Sequence, residues 1–525
     1  MKLTVKNLLQ AKLCSVVAVA LAAMAASQAA AANVRVFDEI VSGVPAANPV
    51  VISPNVLSPE FTAGLVQQGA DPLENPSGLI TTFGNLSDGT NTEPDENTYL
   101  ILDHNPGGPT PEYDYGRHFL FQGHENAGDL AHVTRINLDV TDPDHRITLL
   151  TPVDDTGFTN FNRIDGSTWN PFTRTLLFAQ ENANLGGVIE MGADFDPNTG
   201  GAVGLRTLYG SLGQGGYEGI HPDGLGNVWI VEDVGGITVL NNAKNPNSFV
   251  YRFTPLSSDD LTRGKLEALQ VLINGTPLVF VPVDAQHPNG DTRSRLQLLL
   301  HTVGRRWSVQ WVTVHDTEVD GTDPFDANAL AKAAGATPFK RPENGQFQPN
   351  SNFRTFFFTI TGDTDNTAGS DPQLAARGAW GGVFRVDLDG TRQTGHISLV
   401  VLGDESHAAF DNITFADDAD TILVTEDRGD TLHDQLNKLD SIWAYRLNRQ
   451  HPTQTFVVRF LALGLDPVAG VPGEEDNEPT GIHMSEGDSS INGLIGRNVF
   501  STETARLFFT QQHGENNLFE VFPVD

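Results

Sequence analysis

The sequence has 525 residues and a formal net charge of −34, with 66 acidic against 32 basic side chains. This excess of negative charge disfavours binding to nucleic acid and to anionic membranes, and we expect neither as a partner. The carboxylates serve either solubility or the binding of hard cations such as Ca²⁺.

Residues 1–32 have the form of a secretory signal peptide. They begin with three lysines, continue through an uncharged apolar run at 13–24, and end in small residues that offer a cleavage site near Ala32. The apolar run is shorter than the ~20 residues of a membrane span. We therefore expect an exported protein, periplasmic or extracellular. The one cysteine, Cys14, lies in this leader, so the mature chain is expected to have no disulfide and no thiolate metal ligand.

The 52 Gly, the 30 Pro and many short Val, Ile and Phe runs predict an all-β protein. Residues 33–115 are rich in Asn, Gly, Pro and Thr, and they are predicted to form an irregular N-terminal arm. The body is predicted to span 116–525, with a small helical insertion at 257–338. Within the insertion we predict one short helix starting at Ser257 and a second ending at Gly335.

From residue 116 onward one phrase recurs: an acid with a small residue, a turn, a short apolar strand and an acidic or polar end. The acids of each phrase are 14 to 20 residues apart, as in Asp165 and Glu181, Glu218 and Glu232, Glu343 and Asp363, and Asp411 and Glu426. About six such units predict a six-bladed β-propeller, with a two-sheet sandwich as the alternative. In a propeller the repeated acids would converge at one mouth of the central channel.

A ring of carboxylates at a channel mouth is costly unless cations compensate the charge. Calcium takes six to eight oxygen ligands, which such a ring could supply. The candidate ligands are Glu125, Glu181, Glu218, Glu343, Asp411 and Glu478, with Asn126, Asn182 and Asn412 as neutral partners. The alternative is that each acid caps a turn or faces solvent.

Arg341 stands two residues before Glu343. A guanidinium group beside metal-binding carboxylates can hold phosphate oxygens bidentately. A cation on the opposite side would polarise the phosphoryl group. This pair therefore predicts a small phosphorylated substrate, and a plain Arg–Glu ion pair is the alternative. We expect the protein to act as a monomer.

Seven phrases, in one order from about residue 115 to the end, resemble the PhoX-type alkaline phosphatases. They are Gly123-His124-Glu125-Asn126, Arg146–Pro152, Ala179–Asn182, Tyr217-Glu218-Gly219, Gly335–Pro338 with Arg341-Pro342-Glu343, Phe410-Asp411-Asn412, and Glu478–Gly481 with Gln512-His513. The resemblance implies an exported six-bladed propeller with a mixed iron–calcium cluster at the channel mouth. It also implies hydrolysis of phosphate monoesters outside the cytoplasm.

The sequence departs from this family at the position of the family's iron-binding cysteine, which is Ala179 here, and the neighbouring glutamate is Gln180. A family asparagine near the phosphate is matched by Asp165, so the resemblance implies Asp165 and Arg341 as the catalytic residues. Loss of the thiolate leaves an oxygen-rich set that favours Ca²⁺ and weakens the case for Fe³⁺. The metal ligands expected are Glu181, Glu218, Glu343, Asp411, Asn412 and Glu478.

Two functions follow as hypotheses. The first is a calcium-dependent phosphoesterase, which the intact Arg341-Pro342-Glu343 phrase favours. The second is a catalytically degenerate, calcium-stabilised propeller that acts as a binding or surface-associated protein, which Ala179 and Gln180 favour. A lactonase-like propeller hydrolase with axial Ca²⁺ is a third possibility.

Overall fold

The computed structural model describes residues 40–47, 53–416, 419–448, 453–464, 478–495 and 504–524. The predicted leader, residues 1–32, lies outside the described residues. Within the described part of the chain, no helix has both the length and the apolar character needed to cross a membrane.

The first six strands contain a complete antiparallel sheet. They are β1 Val56–Leu57, β2 Phe61–Gln67, β3 Pro94–Ile101, β4 His118–His124, β5 His132–Asn137 and β6 Ile147–Leu149. Strands β3 to β6 pair in chain order to form this sheet, whereas β1 and β2 pair with strands from the end of the chain. The prediction of an irregular arm over residues 33–115 is therefore wrong for β2 and β3. The run Thr98–Leu102 is apolar enough to be buried as a strand against β4.

The next six strands give a second sheet and a small hairpin. They are β7 Ile164–Asn170, β8 Thr175–Gln180, β9 Gly187–Met191, β10 Phe195–Asp196, β11 Gly201–Ala202 and β12 Arg206–Thr207. The sheet has the order β12-β9-β8-β7, and β10 pairs with β11. This sheet packs face to face on the first one through fully buried side chains such as Phe121, Phe178 and Ile189. Burial of a side chain of this size contributes about 1.5–3 kcal/mol.

The middle of the chain forms one ten-stranded sheet. Its strands are β13 Tyr217–Pro222, β14 Val228–Glu232, β15 Val250–Ser257, β16 Asp260–Ile273, β17 Thr276–Pro277, β18 Trp307–Asp316, β19 Pro342–Phe347, β20 Thr355–Ile360, β21 Gly382–Leu388 and β22 Thr394–Leu402. The order is β13-β14-β15-β16-β18-β22-β21-β20-β19, with β17 on β16. The sheet thus consists of two four-stranded meanders that β18 joins at their outer edges.

The last seven strands complete two further sheets. They are β23 Phe410–Phe415, β24 Thr421–Glu426, β25 Ser441–Leu447, β26 Gln454–Ala462, β27 Glu478–Ser485, β28 Arg506–Gln512 and β29 Asn517–Pro523. Strand β1 adds to the edge of β26, and β2 adds to the edge of β29. Strands from the beginning of the chain therefore complete the sheets at its end.

Within the described residues, ten short helices connect these strands. The α-helices are α1 Arg295–Leu300, α2 Thr317–Asp320, α3 Ala327–Ala334, α4 Asn366–Gly369, α5 Pro372–Ala375 and α6 Gly429–Leu436, and the 3₁₀ turns are Pro143–His145, Ala183–Leu185, Leu240–Asn242 and Ile491–Ile495. The predicted second helix of the insertion is confirmed as α3, which ends at Gly335 in the left-handed conformation. The predicted first helix at Ser257 is wrong, because residues 260–273 form β16 and pair on both sides.

Six strands lie at the centre of the molecule, and each is the first of a run of consecutive antiparallel strands. We call β3, β7, β13, β19, β23 and β27 the inner strands. Each contacts the next, and β27 contacts β3, so the contacts close into a ring. The described chain is therefore an all-β, propeller-like arrangement with four separate sheets and the ten-stranded sheet.

Candidate metal centre

Every inner strand has an irregularity at the same point of its pairing with the next strand. The register shifts lie between Pro94 and Asn97, Ile164 and Ser167, Tyr217 and Ile220, Pro342 and Gly345, Phe410 and Ile413, and Thr480 and His483. A β-bulge redirects the side chain of its extra residue. The first bulged residue is an acid in five strands, namely Asp95, Asp165, Glu218, Glu343 and Asp411, and it is Gly481 in the sixth.

A second set of acids follows the neighbouring strands. Glu125, Glu181, Asp233 and Asp427 come directly after β4, β8, β14 and β24. The backbone N–H of each donates to the carbonyl of the residue two positions before the bulged acid, at 2.8, 2.9, 2.8 and 2.8 Å respectively. This repeated bond fixes the second set beside the first at the mouth of the ring.

The structure groups six of these carboxylates into two clusters. The first cluster is Asp95, Glu125 and Asp165, and the second cluster is Glu218, Asp233 and Glu343; within each, one oxygen per residue lies within 4.8 Å of the others. Both clusters follow the same rule. A bulged acid meets the strand-end acid of its own sheet and the bulged acid of the next inner strand. We call the two clusters, with Glu181, Asp411 and Asp427, the acidic centre.

Burial and neighbouring charges raise the pKa values of several acids of the centre. Burial first, and then neighbouring carboxylates, raise the pKa values of Asp95, Asp165 and Glu218 well above the ordinary range. The pKa of Glu343 rises to about 8, mainly through burial and the charge of Asp233. Full ionisation of the acidic centre is therefore costly unless a cation compensates its charge.

Two arginines partly compensate this negative charge. Arg341 Nε donates to Asp233 Oδ2 at 2.7 Å, and its Nη2 lies 3.5 Å from Glu343 Oε1. Arg163 Nη1 lies 3.0 Å from Glu125 Oε1. Both arginines have positive φ, of 53° and 49°, in the left-handed region that a non-glycine residue adopts at a cost. The backbone thus holds both guanidinium groups at the acidic centre.

Some carboxylate oxygens at the centre are buried and unsatisfied. Asp165 Oδ1 and Asp233 Oδ1 have no hydrogen-bond partner among the described residues, and both side chains are at least 95% buried. A buried unpartnered carboxylate oxygen is costly. Oxygen atoms in this state suit a hard cation such as Ca²⁺, so the residues present fit an oxygen-ligated metal.

The predicted ligands divide into those inside the clusters and those outside. Glu218 and Glu343 lie in the second cluster, and Glu125 lies in the first together with Asp165, the predicted catalytic residue. Glu181 belongs to neither cluster, and its Oε2 lies 3.8 Å from Arg163 Nη1. Asp411 is also outside both clusters, but the charges of Asp95 and Glu343 raise its pKa in addition to the effect of burial.

Two predicted ligands occupy other positions than expected. The oxygen of Asn412 accepts hydrogen bonds from Thr480 Oγ1, at 2.9 Å, and from the Gly481 N–H, so it bridges β23 to β27. Glu478 begins β27 three residues before the bulge. The bulged residue there is Gly481, where a Cβ would lie 2.4 Å from the Asp95 carbonyl, so this strand has no room for an equivalent carboxylate.

Sequence reasoning missed Asp95 and Glu96 and placed no ligand at Asp233. Pro94–Asn97 precedes a short apolar run, which is the same phrase that identified the other inner strands. Glu96 accepts from Ser167 N–H at 2.7 Å and from the Asn344 amide, and burial raises its pKa to about 7. These contacts cross the ring below the acidic centre and form its floor.

The floor depends on a close backbone approach at Gly166. A Cβ at this position would lie 1.8 Å from the Glu218 carbonyl oxygen. Gly166→Ala is therefore expected to destabilise the protein by about 3 kcal/mol, since the backbone must shift. Gly390→Ala is the matched control, because a Cβ there meets nothing within 4 Å. Urea unfolding of both variants checks this, and equal stabilities would contradict it.

Comparison with known proteins adds a family match. A family model described as "Alkaline phosphatase PhoX" matches residues 220–445. This range contains Asp233, Arg341, Glu343 and Asp411, and it begins two residues after Glu218. No curated protein matches the chain in sequence at a significant level.

Several solved structures are similar over most of the chain. A luciferin-regenerating enzyme has 8% identity and a TM-score of 0.38, covering 82% of this chain and 92% of that chain. The WD40 domain of coronin from Toxoplasma gondii has 10% identity and a TM-score of 0.37, covering 91% and 88%. A glucose dehydrogenase has 10% identity and a TM-score of 0.35, covering 88% and 100%. Similarity at this level carries no conclusion about function.

Proposed function

We propose, on the premise that residues 220–445 of this chain belong to the PhoX alkaline phosphatase family, that the protein is a metal-dependent phosphoesterase. Its substrates would be phosphate monoesters, and its place of action would be outside the cytoplasm. One observation carries the proposal: Arg341 contacts Asp233 and Glu343, two of the three acids of the second cluster. A phosphoryl group needs both a cation site and a guanidinium group within reach, and this arrangement supplies both.

Arg341 is the residue suited to bind the phosphoryl group. Its Nε is engaged by Asp233, and this bond fixes the plane of the guanidinium group. The Nη groups remain to donate to two phosphate oxygens, which is the bidentate geometry that a lysine cannot reproduce. Burial alone would lower the pKa of Arg341, but Asp233 and Glu343 outweigh it and raise the pKa. Arg341 therefore stays charged at every pH of interest.

The two clusters would hold the divalent cations. Each offers three carboxylates, and no thiolate or imidazole stands among the ligands described there. Such a donor set favours Ca²⁺ and makes the iron of the family expectation the weaker choice. When bound, the cations would neutralise the phosphate charge and polarise the phosphoryl group.

Asp165 would act as a ligand rather than as a contact to phosphate. It belongs to the first cluster with Asp95 and Glu125. Its charge also raises the pKa of Glu218, so Asp165 is the member of the first cluster that acts on the second. An anionic side chain placed there would repel a phosphate dianion but would attract a shared cation.

We also infer that the fold has six blades. The ten-stranded sheet divides into β13 to β16 and β19 to β22, and β18 bridges their outer edges. With the four separate sheets this gives one blade for each inner strand of the ring. The six bulges at equivalent places support the same count.

A second candidate is a calcium-stabilised binding protein without hydrolytic activity. Ala179 packs in an apolar cluster, and Gln180 hydrogen-bonds Tyr209 and the Asn162 carbonyl. Neither position adds a ligand to the centre. In a protein of this kind the cation sites would be retained, and only the hydrolysis of phosphate monoesters would be absent.

Metal-dependent hydrolysis of p-nitrophenyl phosphate separates the two candidates. The chain without residues 1–32 would be stripped with chelator and assayed with Ca²⁺, Mg²⁺, Fe³⁺ or Ca²⁺ plus Fe³⁺. The phosphoesterase predicts turnover restored by Ca²⁺ and lost again in Glu218→Gln. Calcium binding without turnover under any metal would favour the binding protein. Absence of both calcium binding and turnover would contradict both candidates.

A further inference from the structure

A small, partly open cavity lies among the inner strands, below the acidic centre. Its volume is about 40 Å³, and inner strands β3, β7, β13, β19 and β27 contribute to its lining, with Thr98, Ser167, His221, Gln346 and His483 among the residues. His221 is three residues along β13 from Glu218, roughly 10 Å at ~3.3 Å per residue. The cavity is therefore separate from the two carboxylate clusters.

The two histidines reach the cavity from opposite sides of the ring. His221 is on β13 and His483 is on β27, and these strands are three places apart in the ring of six inner strands. The Nε2 atoms of both rings are buried and have no hydrogen-bond partner within the described residues. The pKa of each histidine is lowered to about 4, by burial in both cases and also by the nearby His221 in the case of His483. Both imidazoles are therefore neutral at physiological pH.

Asn344 lies beside His221 but does not occupy its Nε2. The amide nitrogen of Asn344 donates to Glu96, and its side-chain oxygen accepts from the Gly345 N–H. In a neutral imidazole one ring nitrogen carries the proton and the other carries a lone pair. The unpartnered Nε2 of His221 is therefore available to act as a metal ligand.

We propose that this cavity binds one divalent transition-metal ion of the Zn²⁺ or Cu²⁺ class between Nε2 of His221 and Nε2 of His483. Imidazole nitrogen suits these ions, whereas Ca²⁺ prefers the oxygen-only clusters above. A volume of about 40 Å³ holds one ion with a water molecule. The hydroxyl groups of Thr98 and Ser167 lie on the same wall and can hydrogen-bond that water.

Metal titration of the whole mature chain tests the site. The protein would be stripped with chelator, saturated with Ca²⁺ to fill the oxygen sites, and then titrated with Zn²⁺ by calorimetry. We expect one Zn²⁺ site, whose affinity falls by about 100-fold or more in His221→Asn, in His483→Asn and in the double variant. With Cu²⁺, the electron paramagnetic resonance spectrum should show coupling to two nitrogens in the wild type only.

His301→Asn is the matched control. His301 is also buried, has an unpartnered Nε2 and a pKa lowered to about 4, and its Nδ1 bonds the Gln297 carbonyl, but it does not line this cavity. This variant should keep the Zn²⁺ site, and so should Glu218→Gln, which tests the proposed function independently. Circular dichroism and thermal unfolding would confirm that each variant folds. Unchanged Zn²⁺ binding in the double variant, or a cavity that holds only water, would overturn the proposal.

Discussion

Replacing Arg341 by glutamine is expected to lower kcat/KM for p-nitrophenyl phosphate by about 10²–10³-fold. The side chain is held against Asp233 and Glu343, so its remaining N–H groups are fixed where phosphoryl oxygens would lie. Calcium binding should persist or strengthen in this variant, because a positive charge leaves the acidic centre. Steady-state kinetics and calcium titration of the same preparation measure both effects.

Two further variants make this result specific. Arg341→Lys keeps the charge but not the planar fork, so it should recover only a small part of the activity. Arg306→Gln removes an arginine that is half exposed and pairs loosely with Asp387, at 3.6 Å, and it should have no effect. Full activity of Arg341→Gln would show that this arginine does not bind the phosphoryl group.

Removing the cations is expected to make stability fall as the pH rises. Folding raises the pKa of Glu96 from 4.5 to about 7 and that of Glu343 from 4.5 to about 8. The folded state therefore binds protons more tightly than the unfolded state. Their stabilising effect is complete below pH 4.5 and is lost as the pH rises through about 7 and about 8. For Glu96 alone, the free energy of unfolding falls by about 3 kcal/mol over this pH range.

Thermal unfolding between pH 5 and pH 8 checks this expectation. The chelated protein should unfold at a lower temperature at pH 8 than at pH 5. Added Ca²⁺ should raise the unfolding temperature most at pH 8, where it no longer competes with protons. Glu96→Gln should flatten the pH dependence of the chelated protein. If the chelated protein is equally stable at both pH values, folding does not raise the pKa values of these carboxyl groups, and the prediction is wrong.

The repeated phrase predicted the bulged acids because it records a backbone feature. The acid and the small or amide residue of Asp165-Gly166, Glu218-Gly219, Glu343-Asn344 and Asp411-Asn412 are the two bulged residues of four inner strands. Close approach, as at Gly166, explains why the second residue is small. The repeated phrase therefore marks equivalent backbone positions in these four strands.

The strand-end acids were harder to assign because a shift of one residue changes the face of the strand. The sequence phrase pointed to Glu232 and Glu426. In the structure, Glu232 accepts from the Tyr251 hydroxyl and the Phe249 N–H, and Glu426 pairs with Arg428 at 2.6 Å. The next residue in each case, Asp233 or Asp427, faces the acidic centre. Which of the two adjacent acids faces the centre is decided by strand pairing in the folded protein, and the local sequence does not show it.

The inner strand β3 escaped prediction because its surroundings resemble a loop. Turn-forming residues flank Pro94–Ile101, and its pairing partner β4 lies beyond a segment rich in Gly and Pro. Its acid, Asp95, accepts a hydrogen bond of 2.5 Å from Oγ1 of Thr480, which is 385 positions away in the sequence. A contact over that distance comes from closure of the ring and has no local signal.

Anomalous diffraction from crystals grown with calcium chloride would show whether the two clusters bind cations. We expect a calcium peak in each cluster, about 2.3–2.6 Å from carboxylate oxygens of Asp95, Glu125 and Asp165 or of Glu218, Asp233 and Glu343. Both clusters without a peak, with their carboxyl oxygens hydrogen-bonded to one another through shared protons, would contradict this expectation.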